Sequence, residues 1–418
     1  MASRQKCMAS RQTRCLKADV QCSNTRETVP RPLCATIDVS RMRANFALLR
    51  EQLQPFRCWA VVKANAYGHG LDAGLLGFEE ADGLALIEPA FARYLREKGW
   101  RKPILLMEGI FDEADLTSCV EARVDLVVHD VWQLKLIESH RCSAMLRETG
   151  VRLWIKFNGG MNRLGFLADE GLRQVERLHR EGFGLGVIAH FANADALSSD
   201  SQSEQNMLKI LKAVRLIDHQ MPCSFANSAA SHRLVQARQH RWQTLRPDLP
   251  EALGADWLRL GIALYGASAF DNIEAGALGL SPVMRLESRV LSIQSLKPGD
   301  RVGYGGRFVA QKNSRIAIIA GGYADGYPRQ APDGTPIWIA GHLCPLAGRV
   351  SMDMITADVS DHPQIQAGDL VELWGERLSV DRVAAAAGTI GYQLLSGLTE
   401  RVPRRILKAA MRDETGGS

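Results

Sequence analysis

The sequence predicts an α/β protein in which a (β/α)8 TIM-type barrel is followed by a mostly-β domain. Between about residues 57 and 262, eight short apolar runs alternate with polar, helix-like stretches such as EPAFARYLREKG and DEGLRQVERLHREG. Strands that alternate with helices form right-handed βαβ units and a parallel sheet, and eight units indicate a closed barrel. After about residue 280, short alternating runs are separated by glycine and proline, which is typical of a β domain. An open, doubly wound parallel sheet is the alternative for the first part.

The predicted barrel strands are spaced so that a helix fits between one strand and the next. They span residues 58–63, 84–87, 104–107, 126–128, 153–157, 185–190, 223–226 and 257–260. In the second part, strands are predicted at VMRLESRVLSIQSL, RIAIIA, TPIWIA and DLVELWG, with one helix at SVDRVAAAAG. We therefore expect a barrel at 34–278 and a β domain at 279–408, flanked by an N-terminal extension (1–33) and a tail (409–418).

Composition and charge exclude several classes of function. The 418 residues carry a formal net charge of +5 with no run of basic residues in the body of the chain, so nucleic acid is not expected as a partner. No apolar stretch reaches the ~18 residues of a membrane-spanning helix. Nine cysteines without a Cys-x-x-Cys pair argue against a zinc site or a disulfide framework. We expect no metal and a cytoplasmic protein.

The first 33 residues differ from the rest. MASRQ occurs at residue 1 and again at residue 8, and no acidic residue precedes Asp19. Such a segment is typical of a disordered tail or of a misplaced start, for which Met8 is a second candidate. A transit peptide is the alternative, because the segment is basic and acid-poor and lacks the apolar centre of a secretory signal.

Polar side chains recur where the predicted barrel strands end. In barrels of this kind the active residues lie at the carboxyl ends of the strands and in the loops that follow. Six residues occupy such positions: Lys63, Lys156, His190, Asn227, Ser228 and Arg259. One polar strand end is common at a barrel rim, but this repetition on separate strands predicts an active site.

Lys63 and the neighbouring strand ends indicate imine chemistry next to a phosphate. A partly desolvated lysine has a lowered pKa and forms imines readily. Ser228 offers a hydroxyl, and Gly261 and Ile262 offer backbone amides to an anion. A lysine imine beside a phosphate site predicts pyridoxal 5′-phosphate (PLP). From these residues alone, an aldolase-type Schiff base with a phosphorylated substrate remains equally open.

Eight motifs, taken together, resemble those of the alanine racemase family, which are PLP enzymes of fold type III. They are AVVKANAYGHG, IKFNGGMNRLGF, AHFANAD, ANSAA, RLGIALYG, VGYGG, GYADGYPR and GRVSMDM, and they stand in the family's order. The resemblance covers residues from about 34 to 407. It implies PLP as the cofactor, L- and D-alanine as substrates and a head-to-tail homodimer with shared active sites.

The resemblance also implies two catalytic bases. Lys63 would hold PLP covalently and act as one base, and Tyr304, in VGYGG, would reach the opposite face of the substrate from the partner subunit. Racemisation removes a proton from one face of Cα and delivers another to the opposite face. Two bases do this without rotating the reacting carbon.

Cofactor contacts are implied at further positions that match the family's motifs. Arg259 would face the pyridine nitrogen, His190 would stack near the ring, and Asn227 would lie beside them. The phosphate would be held by Tyr67, Ser228, Gly261, Ile262 and Tyr392. Since an arginine stays protonated, Arg259 can only donate to the ring nitrogen, which favours racemisation over transamination.

Substrate contacts are implied in the same way. Arg163 and the backbone of Met352 would bind the substrate carboxylate, and Tyr323 and Arg329 match the substrate entrance. An aromatic wall there favours a side chain as small as a methyl group. Asp353 is either a turn residue or a carboxylate near the cofactor.

One motif departs from the family's common pattern. Lys156 matches a position that is often carbamylated, but NGGM stands at 158–161 where Asp-Thr-Gly-Met is common. This change puts the hydrogen bonding around Lys156 in question. It also bears some likeness to racemases of broader specificity, so activity toward serine is one alternative.

Two other interpretations remain. A barrel-type PLP decarboxylase of basic amino acids would place a glutamate where Arg259 stands. A non-catalytic PLP carrier would lack the second domain. Whether the reaction supplies D-alanine for cell-wall peptidoglycan or feeds alanine catabolism is left open by the sequence.

Overall fold

The computed structural model describes residues 31–139, 141, 143–195, 201–239 and 256–407. Of the predicted N-terminal extension only residues 31–33 fall within this part, and the predicted tail at 409–418 lies outside it. Within the described residues, no helix combines the length and apolar character needed to cross a bilayer.

Eight parallel strands form the barrel. Strand β1 (Cys34–Asp38) and helix α1 (Val39–Gln52) precede it. The barrel strands are β2 (Arg57–Val61), β3 (Gly83–Leu86), β4 (Ile104–Leu106), β5 (Asp125–Val128), β6 (Leu153–Lys156), β7 (Leu185–Ile188), β8 (Cys223–Ser224) and β9 (Trp257–Leu260). They lie in the order β8-β7-β6-β5-β4-β3-β2-β9.

Backbone hydrogen bonds close the sheet between β8 and β9. The Asp256 amide donates to the Cys223 carbonyl at 3.0 Å, and the Arg259 amide donates to the Ala226 carbonyl at 3.0 Å. The predicted barrel of eight strands is therefore confirmed, and the open sheet is excluded. Most observed strands end one or two residues before the predicted ends, so Lys63, His190 and Asn227 lie just beyond the ladder, whereas Lys156 and Arg259 lie within it.

Helices follow the barrel strands and cover the outside of the sheet. They are α2 (Leu71–Gly77), α3 (Pro89–Glu97), α4 (Glu113–Glu121), α5 (Val131–Ser139), α6 (Ser143–Glu148), α7 (Ala168–Arg180), α8 (Ser201–Ile217) and α9 (Ser228–Gln239). Helix α1, which precedes the barrel, begins at a capping residue, because the Asp38 carboxylate accepts the Ser40 amide at 2.9 Å. The small Gly77 lets α2 approach α1, because a Cβ there would lie 2.2 Å from the Met42 sulfur.

A left-handed helical turn follows β2 at Lys63–Tyr67. Ala64, Asn65 and Ala66 have φ angles of 53°, 53° and 54°, a region that costs L-residues roughly 1–2 kcal/mol each. The side chain of Asn65 supports the turn by accepting the Leu71 amide at 2.8 Å. Burial of Ala66 and Tyr67 supports it further. This turn directs both Lys63 and Tyr67 toward the barrel mouth.

The second domain is a mostly-β unit, as predicted. Its strands are β10 (Met284–Leu296), β11 (Arg301–Val302), β12 (Phe308–Val309), β13 (Ser314–Ala320), β14 (Pro336–Ile339), β15 (His342–Pro345), β16 (Met354–Asp358), β17 (Leu370–Trp374) and β18 (Arg404–Leu407). The long β10 pairs with β1 and β17 through its first half and with β13 through its second half. Strand β1 falls in the predicted barrel segment, 34–278, yet it lies in this second sheet, between β10 and β18.

Two helices of the second domain return to the barrel. They are α10 (Val380–Ala386), where one helix was predicted, and α11 (Gly391–Ser396), which carries Tyr392. Helix α11 packs against the turn after Lys63, because a Cβ on Gly68 would lie only 2.0 Å from the Leu395 carbonyl oxygen. The Arg404 guanidinium donates to the Gly68 carbonyl at 2.6 Å. The second domain thus completes one wall of the barrel mouth.

Candidate active site

A cavity of about 300 Å³ opens at the carboxyl ends of the barrel strands. That volume lies within the range of small-molecule sites. Eleven of the residues predicted from the sequence line it: Lys63, Tyr67, Lys156, Arg163, His190, Asn227, Ser228, Arg259, Gly261, Ile262 and Tyr392. Residues far apart in the chain therefore meet at one mouth.

One end of the cavity is a cradle of hydroxyls and backbone. The Gly261 amide donates to the Ser228 hydroxyl at 2.8 Å. A Cβ on Gly261 would lie 2.6 Å from the Tyr67 hydroxyl oxygen, so only glycine leaves that approach open. The Tyr67 ring stacks on Tyr265 with centroids 4.8 Å apart, and Tyr265 donates to the Val61 carbonyl at 2.8 Å. Burial raises the pKa of Tyr67, so its hydroxyl stays protonated and can donate to an anion.

Arg259 lies buried at the floor of the cavity. Its Nη1 donates to the Ser224 carbonyl at 2.6 Å and to the Ser224 hydroxyl at 2.7 Å. Its Nη2 donates to the carbonyls of Ala189 at 2.5 Å and Phe225 at 3.1 Å. Burial lowers the pKa of Arg259 to about 9, which leaves it charged at neutral pH. Among the described residues no acceptor bonds to its Nε, so one N–H is left for a bound group.

His190 stands beside Arg259 and is neutral. Burial, followed by the positive charges of Arg259 and Arg163, lowers the pKa of His190 to about 3. Its Nδ1 lies 3.4 Å from the Arg259 Nη2, and its Nε2 lies 3.2 Å from the Asn227 amide nitrogen. These contacts fix the imidazole, so His190 presents a flat, uncharged ring to the cavity.

The pKa values of both lysines in the cavity are lowered, which favours the neutral amine. Burial and then the charge of Arg163 lower the pKa of Lys63. Burial and then the charges of Arg259 and Arg163 lower the pKa of Lys156 to about 8. A neutral amine is the form that attacks an aldehyde and that accepts a proton. The downward shift at Lys63 is in the direction expected of an imine-forming lysine, and its catalytic role stays a prediction.

Glu108 is a cavity residue that the sequence interpretation missed. It lines the same cavity, and its negative charge raises the pKa of both Lys63 and Lys156. The side chain of Gln133 donates to its carbonyl at 3.0 Å and so fixes the backbone there. Glu108 follows β4 by two residues, as Lys63 follows β2. The pattern of polar strand ends therefore contained the signal.

The predicted residues of the second domain other than Tyr392 do not line this cavity. Tyr304 is 74% exposed, Met352 is 50% exposed and Tyr323 is 38% exposed. The Arg329 guanidinium lies 6.0 Å from the centre of the Tyr323 ring. Large, exposed side chains of this kind are available to a partner surface. Within a single chain, Lys63 and Tyr304 therefore do not lie in the same site.

Asp353 also lies outside the cavity of its own chain. Its carboxylate accepts from the Arg401 Nη2 at 2.6 Å, and its carbonyl accepts from Arg31. It neighbours Met352 on the loop before β16. A role for Asp353 near a cofactor would therefore require a second copy of the chain.

The cavity residues fit PLP and give no sign of a metal. The space that a Cβ on Gly261 would fill, beside the hydroxyls of Tyr67 and Ser228, suits a phosphate. The free Nε–H of Arg259 suits an aromatic nitrogen, and Lys63 supplies an amine for an aldehyde. In the part of the chain that the structure describes, no group of three or more His, Cys, Asp or Glu side chains is placed to hold a metal ion.

Comparison with known families matches most of the chain. Residues 37–269 match the family model described as "Alanine racemase, N-terminal domain". Residues 283–406 match the one described as "Alanine racemase, C-terminal domain".

Individual relatives agree with this match. The chain is 42% identical over 379 residues to an alanine racemase of Erwinia tasmaniensis, covering 89% of this chain and 98% of that relative. It is 38% identical over 376 residues to a catabolic alanine racemase of Salmonella typhimurium, covering 89% and 98%.

Solved structures share the fold as well. The biosynthetic alanine racemase of Pseudomonas aeruginosa aligns with a TM-score of 0.79 at 38% identity, covering 90% of this chain and 100% of that one. An alanine racemase of Bartonella henselae with covalently bound pyridoxal phosphate aligns with a TM-score of 0.74 at 26% identity, covering 90% and 100%.

Proposed function

The chain belongs to the alanine racemase family, and on that premise we propose a two-base reaction in which Lys63 of one subunit and Tyr304 of its partner flank the substrate. The activity is the interconversion of L- and D-alanine, with PLP as cofactor. The observation that carries the two-base proposal is the separation of the two residues: Lys63 lines the cavity at the barrel mouth, whereas Tyr304 is 74% exposed on the second domain.

The barrel residues bind the cofactor in this scheme. The Tyr67 and Ser228 hydroxyls and the amides of Gly261 and Ile262 hold the phosphate, with Tyr392 closing that end. Arg259 would face the pyridine nitrogen with its Nε–H, and the neutral His190, fixed by Asn227, would lie beside the ring. Lys63 would hold the cofactor covalently through its amine.

The bound cofactor supplies an electron-withdrawing ring that makes the Cα proton of alanine removable. Arg259 remains charged, because four acceptors surround its Nη atoms, and so it donates to the ring nitrogen without protonating it. A weaker electron sink keeps the proton transfers at Cα. This supports racemisation over transamination.

Proton transfer is assigned to two groups on opposite faces of Cα. The Lys63 amine, with its lowered pKa, takes or returns the proton on the face toward the barrel. The phenol of the partner subunit's Tyr304 serves the other face. Arg163, which also lines the cavity, pairs with the substrate carboxylate, and the backbone of Met352 from the partner completes that contact.

The remaining assignments concern substrate size, Lys156 and location. Tyr323 and Arg329 form the entrance from the partner side, and the aromatic wall of Tyr392 and Tyr323 favours a side chain as small as a methyl group, which leaves tolerance for serine open. Lys156, with a pKa of about 8, is available for carbamylation, and a carbamate would face Arg163. The five described cysteines are free, which supports a reducing cytoplasm. The enzyme has biosynthetic and catabolic relatives, and no residue described above separates those two roles.

A subunit-mixing experiment tests the shared site. Lys63→Ala and Tyr304→Phe are each expected to be inactive as homodimers. In a mixed dimer, the intact Lys63 of one subunit meets the intact Tyr304 of the other, so one of the two sites is complete. Random mixing at equal amounts should therefore restore about a quarter of the parental activity, measured with a chiral amino-acid assay.

The controls of this experiment separate the outcomes. Tyr304→Phe alone should keep the PLP absorbance, because the cofactor residues are untouched, and Lys63→Ala alone should lose the covalent species. Mixed dimers that form, as judged by differently tagged subunits, but stay inactive would contradict the action of Tyr304 across subunits. Full activity in Tyr304→Phe alone would contradict its role as a base.

A further inference from the structure

The segment that carries Tyr304 is weakly tied to the rest of the second domain. Strands β11 and β12 form a sheet of their own, with two paired positions and no ladder to the eight-stranded sheet. The turn between them contains Gly303, Gly305 and Gly306, with φ angles of 66°, 71° and 55°. Glycine leaves such a turn many accessible conformations. A base on this turn needs another source of rigidity.

Arg307, three residues after Tyr304, supplies contacts that leave the hairpin. Its Nη2 donates to the Gly348 carbonyl at 2.7 Å and to the Ala331 carbonyl at 3.0 Å. Its Nε donates to the Asp333 carboxylate at 3.0 Å. A fork of donors on three acceptors fixes a guanidinium far better than a single ion pair does.

Asp333 joins the same contact from the other side. Its Oδ1 accepts the Gly348 amide at 2.7 Å as well as Arg307. Both side chains are about one-third exposed, at 29% for Arg307 and 34% for Asp333. We define the Arg307 clamp as Arg307, Asp333 and the carbonyls of Ala331 and Gly348. It ties the hairpin to the loop before β14 and to the loop that leads to Met352.

A small apolar cluster gives the hairpin a second anchor, and the Arg349 guanidinium also lies beside Gly305 of the turn. Val302, Ile316 and Ala347 are buried together, with Phe308 packed against them. This cluster holds the two strands, but it lies below the turn and leaves Tyr304 itself exposed. The clamp adds hydrogen bonds at the carboxyl end of the turn, three residues after Tyr304.

We propose that Arg307 and Asp333 are positioning residues for Tyr304, which set the direction of its phenol toward the partner subunit's site. The proposal rests on the proposed role of Tyr304 as the second base. Misplacement of a reacting group by about 1 Å costs on the order of 10²-fold in rate. Loss of the clamp is therefore expected to lower kcat and to leave KM nearly unchanged.

The test uses the holoenzyme with Arg307→Met, Asp333→Asn and a matched control, Arg315→Met. Arg315 is also in the second domain, and its guanidinium also donates to two loop carbonyls, those of His362 at 3.1 Å and Ile365 at 2.8 Å. It contacts no part of the Tyr304 hairpin in the described structure. The control therefore removes a similar contact without touching the turn.

The decisive readout compares two proton transfers in deuterated water. Lys63 alone can exchange the α-hydrogen of one enantiomer with retention, whereas inversion requires both bases. Arg307→Met should lower inversion about 10- to 100-fold and change exchange with retention by less than about threefold. A purely structural loss would lower both in proportion. Arg307→Lys, which keeps the charge and loses the fork, should fall between the parent and Arg307→Met.

A second readout needs no cofactor and no turnover. In the cofactor-free protein, amide hydrogen exchange over residues 301–309 should quicken in Arg307→Met and stay at the parental rate in Arg315→Met. An unchanged ratio of inversion to exchange in Arg307→Met overturns the proposal. If Tyr304→Phe itself inverts alanine normally, the proposed function fails instead, so the two failures are distinguishable.

Discussion

The two groups of predicted site residues differ in how the chain holds them. The barrel group lies in an enclosed cavity with short hydrogen bonds and shifted pKa values, as at Arg259 and His190. The second-domain group, Tyr304, Tyr323 and Met352, stands exposed on turns and loops. Among the second-domain residues that the structure describes, Tyr392 alone lines the cavity.

This difference suggests a division of labour within one chain. In the proposed scheme, the barrel with Tyr392 supplies the cofactor contacts within one chain, since these residues line one cavity. The exposed group does not line that cavity, so the proposed chemistry of Tyr304 requires a second chain. Changes in the first group should therefore affect cofactor binding, and changes in the second should affect turnover and leave the cofactor in place.

The largest expected effect follows from Lys63→Ala. The variant loses both the covalent attachment of PLP and one of the two bases, so racemisation should fall to background and the absorbance of the covalent species should vanish. The measurement is the visible spectrum after dialysis, together with a chiral assay. A dialysed variant that keeps the absorbance of the parent would show that another amine holds the cofactor.

Gly261→Ala should weaken PLP binding by about 10- to 100-fold, because the new methyl group would push the Tyr67 hydroxyl out of the phosphate cradle. Titration of the cofactor-free protein with PLP measures this. Gly276→Ala is the matched control, since a Cβ there meets nothing within 4 Å. If Gly261→Ala and Gly276→Ala bound PLP with equal affinity, Gly261 would not be part of the phosphate cradle.

Asp325→Asn tests whether the backbone near Tyr323, in the exposed group, can be weakened without an effect on the barrel group. The Asp325 carboxylate is buried and accepts two bonds at 2.8 Å from Arg31 and the Gly322 amide at 2.9 Å. Weakening this buried pair should lower the free energy of unfolding by about 2 kcal/mol. PLP affinity should stay at the parental value. Urea unfolding at fixed protein concentration measures the change.

Asp361→Asn is the control for that measurement, because its pair with Lys312 is exposed and should contribute nothing measurable. If Asp325→Asn lost PLP affinity while remaining as fully folded as the parent, cofactor binding would depend on the second-domain group as well as on the barrel group.

Glu108→Gln should give the smallest effect. The Glu108 carboxylate raises the pKa of Lys63. Replacing the carboxylate by an amide therefore lowers the pKa of Lys63 and increases the neutral fraction of its amine at a given pH below that pKa. The midpoint of the pH dependence of covalent PLP uptake by cofactor-free protein should move down by about half a pH unit. Glu113→Gln, on α4, is the control. A midpoint that moves upward would contradict the sign of this interaction.

The sequence evidence for most of the barrel group is local, and the structure brings these residues to one cavity, while their roles stay predictions. Most of the polar residues stand at or just after an apolar run, and the eight runs became β2 to β9, whereas Arg163 was assigned through the resemblance alone. Glu108 follows the same rule, but it was not predicted because forming an imine does not require a carboxylate. The fold class and the strands of the second domain were predicted for the same local reasons.

Two features could not be predicted from local pattern. The alanines at 64 and 66 prefer the right-handed region, and only Asn65 tolerates the left-handed one readily, so the local pattern does not specify a left-handed turn; backbone hydrogen bonds, burial and the Asn65 side chain hold it. Strand β1 carries apolar residues like a barrel strand, and pattern alone does not say which sheet a strand joins. The position of Tyr304 relative to Lys63 stays a prediction, because it depends on a second chain.

The pairing of β1 with β18 has a consequence for biosynthesis. Ala35 lies beside Arg404 in that parallel ladder, so the sheet joins a segment made early to one made late. At translation rates of about 5–20 residues per second, the partner strand emerges on the order of tens of seconds after the first. All the barrel strands leave the ribosome before the helix that carries Tyr392. Nascent chains therefore acquire the last wall of the cavity only as translation ends.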